Sequence, residues 1–171
     1  MLVRERLESD RQGCVEMARV VHDLDRYPMF LPEDLASFIF TPGALGAFVA
    51  EIEGESAGHV GLHPRSSPPV LALARQATGI SDEGLCVVAR LLVSPRQRRR
   101  GVGRALLETA AGEAHKRGLW PVLDVVSGHG AAVSLYERCG WVRAGEVTVR
   151  WGEHPEVQEL VYLGPGLAPA P

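Results

Sequence analysis

The chain has 171 residues, with 18 Lys and Arg against 21 Asp and Glu, and a net charge of −3 that gives no general case for nucleic-acid binding. That length suits one domain, able to bury roughly two-thirds of the surface its unfolded chain would expose. Three cysteines, at 14, 86 and 139, form no short-spaced pair, which disfavours both a disulfide framework and a thiolate metal site.

A reducing, cytoplasmic setting is the default for such a chain. The N-terminus, MLVRERLESDRQG, mixes acids with arginines and holds no apolar segment long enough for a signal peptide or a membrane span. A single domain is expected over residues 1–164, with 165–171 as a flexible tail rich in Gly and Pro.

Residues 2–7 read as a short strand, and a helix follows from about 11 to 25. Asp10 is its expected N-cap, and Cys14, Met17, Ala18 and Val21 form an apolar stripe. Pro28 and Pro32 break the chain, leaving Tyr27, Met29 and Phe30 in a loop. A short helix with acids in its first turn is predicted over 33–40. Residues 45–53 and 56–63 read as adjacent strands of a hairpin joined at Gly54-Glu55. A Pro- and Ser-rich loop leads to residues 70–77, which read equally as a short helix or an ordered insertion.

Leu85 to Val93 is apolar nearly throughout and so is expected at the centre of a sheet. The next helix carries Val102, Leu106, Ala110 and Ala114 at four-residue intervals and ends on His115, Lys116, Arg117 and Gly118. Trp120 to Val126 is a strand, Ala131 to Cys139 a helix closed by Gly140, and 141–150 and 157–163 the last two strands. The whole predicts a mixed α/β sheet with an antiparallel C-terminal pair.

Between strand and helix lies Ser94-Pro95-Arg96-Gln97-Arg98-Arg99-Arg100-Gly101-Val102-Gly103-Arg104, with five arginines within residues 96–104. A strand feeding a basic, glycine-containing turn and then a helix can surround an anion with backbone N–H groups and guanidiniums. The turn lacks the Lys-Ser/Thr end of a Walker loop and the third glycine of a dinucleotide fingerprint, so a nucleoside-triphosphate hydrolase is disfavoured.

Arg98, Gly101 and Gly103 resemble the Arg/Gln-x-x-Gly-x-Gly/Ala motif of the GCN5-related N-acetyltransferase (GNAT) superfamily. Ala132-Val133-Ser134-Leu135-Tyr136-Glu137-Arg138-Cys139-Gly140-Trp141 resembles that family's A-x-x-L-Y-E-x-x-G-F segment, in the matching order and separation. The resemblance implies the acyl-CoA N-acyltransferase fold, a mixed and centrally splayed sheet flanked by helices. It also implies acetyl-CoA as acyl-donor cosubstrate and direct attack of a primary amine on the thioester, without a metal. Backbone at Leu91, Leu92 and Val93 would pair with the pantetheine arm. Backbone amides from Arg99 and Arg100 through Gly101, Val102, Gly103 and Arg104 would hold the pyrophosphate, beside the Arg98 side chain.

The same resemblance makes Tyr136 the general acid that returns a proton to the departing thiolate; its ordinary pKa near 10 suits a donor better than a base. His129 stands where many relatives carry asparagine and is assigned to the coenzyme arm. Glu83, just before the central strand, is the candidate base for the acceptor amine, with its neighbour Asp82 and Asp124 on the following strand as further candidates; each of the three reads equally as an edge or solvent-facing acid. His59 and His63 share one face of a strand without a third ligand, so core or edge histidines account for them better than a metal. The loop residues Tyr27, Met29, Phe30, Trp151 and His154 fit either an acceptor-side lining or a homodimer contact.

Two rivals stay open: a catalytically silent acyl-CoA-binding module of the same fold, and a nucleic-acid binder using the arginine turn. The absence of a wider basic field argues against the second, so the expected partners are acetyl-CoA and an amine-bearing acceptor, with no nucleic acid and no membrane.

Overall fold

The computed structural model describes residues 1–166. Among them the elements run β1 (Leu2–Glu5), α1 (Arg11–Asp25), α2 (Leu35–Ile39), β2 (Gly46–Ile52), β3 (Glu55–His63), α3 (Pro68–Thr78), β4 (Leu85–Val93), α4 (Val102–Lys116), β5 (Trp120–Val126), α5 (Gly130–Arg138), β6 (Val142–Val149) and β7 (Val157–Leu163). The strands form one mixed sheet in the order β1-β2-β3-β4-β5-β7-β6, splayed at its centre and flanked by helices. Its central strand is the apolar run 85–93, as expected. Parallel pairing of β4 with β5 is confined to Leu85↔Trp120, Cys86↔Pro121 and Val87↔Val122. The antiparallel pair β6/β7 is present, and β7 is the member that lies beside β5. Among the described residues no helix is long and apolar enough to cross a membrane. Residues 167–171 of the expected tail lie outside the described residues.

The chain divides into two compact units, one of residues 1–62 and 90–110, the other of residues 63–89 and the chain from Ala111 onward. In the first, the α1 stripe of Cys14, Met17, Ala18 and Val21 is buried with Leu35 and Ile39 of α2, Val49 of β2 and Leu92 of β4. Full burial of a side chain such as Leu92 stabilises by about 1.5–3 kcal/mol. Asp10 stands at the N-cap position, but its side chain does not cap α1. It accepts the Leu7 amide at 2.7 Å and both terminal guanidinium nitrogens of Arg4 at 2.8 Å, which hold its carboxyl below the usual range. The helix expected over 33–40 begins only at Leu35, because Asp34 caps it by accepting the Ser37 amide at 2.9 Å. The β2/β3 hairpin turns one residue earlier than expected, on Glu53 (φ 55°) and Gly54 (φ 81°), which supply the left-handed pair that a two-residue turn demands.

In the second unit the ambiguous stretch after the Pro-rich loop is a helix. Pro68 and Pro69 start α3, where their missing N–H groups cost nothing, and Gly79 ends it with φ 73°. Ala74 packs with Leu85, Val87 and Val122, and Val70 with Val149 and Val161, so α3 covers one face of β6 and β7.

Candidate active site

The segment that the sequence assigns to the coenzyme is continuous in the first unit. Within β4, Arg90 takes a left-handed conformation (φ 54°), which costs an L-residue about 1–2 kcal/mol. Its carbonyl lies 3.0 Å from His59 Nδ1, and its guanidinium donates to the Phe38 carbonyl while lying 4.6 Å from the Phe38 ring centroid. Beyond it Leu92 points its side chain into the α1/α2 core, while Leu91 and Val93 are half-buried. The Ser94 amide donates to the Ala57 carbonyl at 2.9 Å. Gly58 makes this approach achievable: a Cβ there would stand 2.8 Å from the Leu92 carbonyl oxygen, 2.7 Å from Leu106 Cδ1 and 2.8 Å from Val102 Cγ1.

A short 3₁₀ turn, Pro95–Gln97, carries the chain to Arg99 (φ 61°) and Gly101 (φ 80°), two left-handed residues that reverse it into α4. The first helical hydrogen bond runs from the Ala105 amide to the Gly101 carbonyl at 3.0 Å. The amides of Val102, Gly103 and Arg104 therefore have no helical acceptor and lie at the positive end of a 15-residue helix, a donor set suited to an anion. The arginines divide. Arg98 forms a two-pronged ion pair with Asp25 at the end of α1, Arg100 donates to Gln97 Oε1 at 2.6 Å, and Arg99 and Arg104 are exposed.

Glu83, His129 and Tyr136 belong to the second unit. Tyr136 is buried on α5, its ring centroid 6.5 Å from that of Trp141 and 5.9 Å from that of Tyr162. The Tyr162 hydroxyl donates to Glu137 Oε1 at 3.1 Å. Half-buried His129 stands at the start of α5, its carbonyl accepting the Ala132 and Val133 amides at 3.0 and 3.1 Å. It lies two helical turns before Tyr136, about 10 Å along the axis. Glu83 sits exposed in the one-turn helix before β4, at the opposite end of that strand from Leu91–Val93. Hydrogen bonding from Ser81 holds its carboxyl below the usual range, with Arg65 and Arg75 adding to the effect.

Sequence reasoning passed over Glu159. This β7 residue is 2% exposed, and burial, followed by the nearby Asp124, pushes its carboxyl up to about 8. Asp124 of β5 accepts a hydrogen bond from Ser66 at 2.9 Å. The signal was available in strand parity: Val157, Val161 and Leu163 mark the apolar face of β7, and Glu159 falls on it. Burial raises the Cys14 thiol to about 11 and the Cys86 thiol to about 12, which leaves both inert as nucleophiles near neutrality. Among the described residues no group of three or more His, Cys, Asp or Glu is arranged to hold a metal.

A [Ribosomal protein bS18]-alanine N-acetyltransferase of Escherichia coli K12 is 41% identical over 68 residues, which are 38% of this chain and 43% of that protein. The match thus spans less than half the length of that relative. Among solved structures, a ribosomal-protein-alanine N-acetyltransferase from Brucella melitensis superposes with a TM-score of 0.70 at 20% identity, over 95% of this chain and 98% of that one. An N-acetyltransferase from Staphylococcus aureus Mu50 gives 0.73 at 15% identity, over 95% and 96%, and both likenesses show the fold. The model of the Acetyltransferase (GNAT) family matches residues 11–141, from the first residue of α1 to just past α5. Spanning most of the chain, that match establishes that it belongs to the GNAT acetyltransferase family.

Proposed function

We propose that this protein is an acetyl-CoA-dependent N-acetyltransferase, one domain over residues 1–164, that transfers the acetyl group to a primary amine by direct attack on the thioester. The observation that carries the reading is the left-handed Arg90 near the end of β4, followed by the helix-start amides of Val102, Gly103 and Arg104, which have no helical acceptor. These amides, with those of Arg99, Arg100 and Gly101, hold the pyrophosphate, and Leu91, Leu92 and Val93 pair with the pantetheine arm. Arg98 supports the turn from its ion pair with Asp25. His129 donates to the coenzyme arm, and Tyr136 protonates the departing thiolate. The E. coli relative is named for a ribosomal-protein alanine, so a protein N-terminal α-amine is the first acceptor class to test.

An acceptor ammonium must lose a proton before it attacks. Glu83 is ionised at neutrality, but its depressed pKa makes it a weak base. Glu159, raised to about 8 beside Asp124, has the better-matched basicity.

One observation favours the silent-module reading: Tyr136 is packed among aromatic rings, as a purely structural tyrosine would be. The test is release of coenzyme A thiol from acetyl-CoA, with mass spectrometry of products, across peptides with free N-termini and small amines. Native protein and Tyr136→Phe are compared across pH. Turnover by the native protein and loss of turnover in the variant are expected. Unchanged turnover in Tyr136→Phe removes it from proton transfer, and coenzyme binding with no acceptor turned over makes the module reading lead.

A further inference from the structure

His59 is wholly buried on β3, and its two ring nitrogens face groups of fixed hydrogen-bonding character. Nδ1 is 3.0 Å from the Arg90 carbonyl oxygen, which can only accept. Nε2 is 3.1 Å from Arg6 Nη1, which can only donate. The ring is therefore neutral, with its proton on Nδ1 and its lone pair on Nε2. Arg6 is itself fixed: the same Nη1 donates to the Ile39 carbonyl at 2.7 Å, and the guanidinium carbon stands 3.7 Å from the Phe40 ring centroid. A chain of donors thus runs from Arg6 through the imidazole to the carbonyl of the one β4 residue with positive φ.

The bond to the His59 ring gives the half-buried Arg90 carbonyl a hydrogen-bond donor, and so helps to offset the cost of left-handed backbone there. The orientation of Arg90 sets that of the next three peptides, and the Ser94–Ala57 bond fixes their far end. We infer that His59 is a positioning residue for coenzyme binding, a neutral imidazole whose Nδ1–H holds the left-handed backbone at Arg90 and so aims the backbone of Leu91–Val93 at the pantetheine arm. This rests on the coenzyme reading proposed above. It concerns no contact between His59 and the coenzyme.

The test compares His59→Asn, whose side-chain NH₂ can replace the Nδ1 donor, with His59→Gln and His59→Leu, which cannot replace it there. Coenzyme A affinity by calorimetry and the KM for acetyl-CoA are read alongside thermal unfolding. Weakening of about tenfold or more is expected in the Leu and Gln variants, with kcat changed less than about threefold, and recovery to within about threefold of native in the Asn variant. Equal weakening in all three, or none in any, overturns the inference. Should Leu and Gln fail to fold, nitrogen-15 spectra of the native protein decide: a proton on Nδ1 supports the lock, and a proton on Nε2 overturns it. A native protein that binds no coenzyme A overturns the coenzyme reading and this inference together. A native protein that binds, with variants that do not discriminate, overturns this inference alone.

Discussion

His59 in one unit and Glu159 in the other are both almost inaccessible to water and both predominantly uncharged at neutral pH, for different reasons. His59 has its two nitrogens matched, one to an acceptor and one to a donor, and burial holds its pKa down to about 4. Glu159 instead lies close to a second carboxylate, and burial, followed by Asp124, holds it up to about 8. A matched buried group specifies one backbone conformation. A carboxyl buried beside a second carboxylate costs stability and gains basicity, a combination common at functional sites.

The largest expected effect tests the second half of that contrast. A carboxyl raised from about 4.5 to about 8 takes up a proton on folding between those values. Its stabilising influence is whole below about pH 4.5 and is lost as the pH rises to 8, by up to about 5 kcal/mol. Glu159→Gln should remove this slope and be the more stable form at pH 9, as read by denaturant unfolding across pH. In the transferase assay the same variant should lose the acidic limb of the rate profile while Glu83→Gln keeps it; the reverse outcome would return the base to Glu83.

His59 should show the opposite sign. Its folded pKa lies below the unfolded value near 6.5, so its contribution is whole above pH 6.5 and lost as the pH falls to about 4, by up to about 3 kcal/mol. The charged neighbours in this window are Arg6, Arg90 and Asp10; the last has a lowered pKa and so adds its own slope only below about pH 4. Subtracting the unfolding curve of His59→Asn from that of the native protein isolates the histidine. A difference that stays flat between pH 6.5 and 4 would mean that the ring is not held neutral.

Element order and the central strand were legible in the sequence because each has a local cause: apolar periodicity, a proline stop, a glycine end; the two motif segments were legible by their resemblance to a family. The α1 stripe and the Trp120–Val126 strand agree with expectation for that reason. Whatever depends on partners distant in the chain was not legible. Asp10 leaves its cap for Arg4, Arg98 is engaged by Asp25 across 73 residues, and the left-handed Arg90 meets the His59 ring and the Phe38 carbonyl on other elements. His59 was expected as a core or edge histidine and is buried, yet nothing in its local sequence could show that its neighbour would be a left-handed arginine.

The lock on Arg90 has a steric half, which a smaller effect should expose. Gly58→Ala removes no partner of the His59 hydrogen bonds but sets a methyl group 2.8 Å from the Leu92 carbonyl oxygen, with Leu106 Cδ1 at 2.7 Å and Val102 Cγ1 at 2.8 Å. Overpacking of this kind costs about 1–3 kcal/mol. Thermal unfolding should register that loss, and because the displaced peptide is part of Leu91–Val93, the KM for acetyl-CoA should rise with it. Loss of stability with an unchanged KM would separate the packing of β3 from the aim of β4.

The smallest effect is expected at Arg98, where sequence motif and structure assign the side chain differently. Its pair with Asp25 is partly exposed, at 41% and 36%, so screening by water limits it to about 0–1 kcal/mol. If the pyrophosphate is held by amides and Arg98 only supports the turn, Arg98→Ala and Asp25→Ala should weaken coenzyme A binding by the same small factor, under about threefold, and the double variant by no more. A loss of tenfold or more in Arg98→Ala with none in Asp25→Ala would show that the guanidinium leaves Asp25 when the coenzyme arrives and contacts phosphate itself. Salt dependence gives a second reading of the same choice: a direct phosphate contact makes the Arg98 effect shrink as ionic strength rises, whereas the hydrogen bonds of the turn's amides change little.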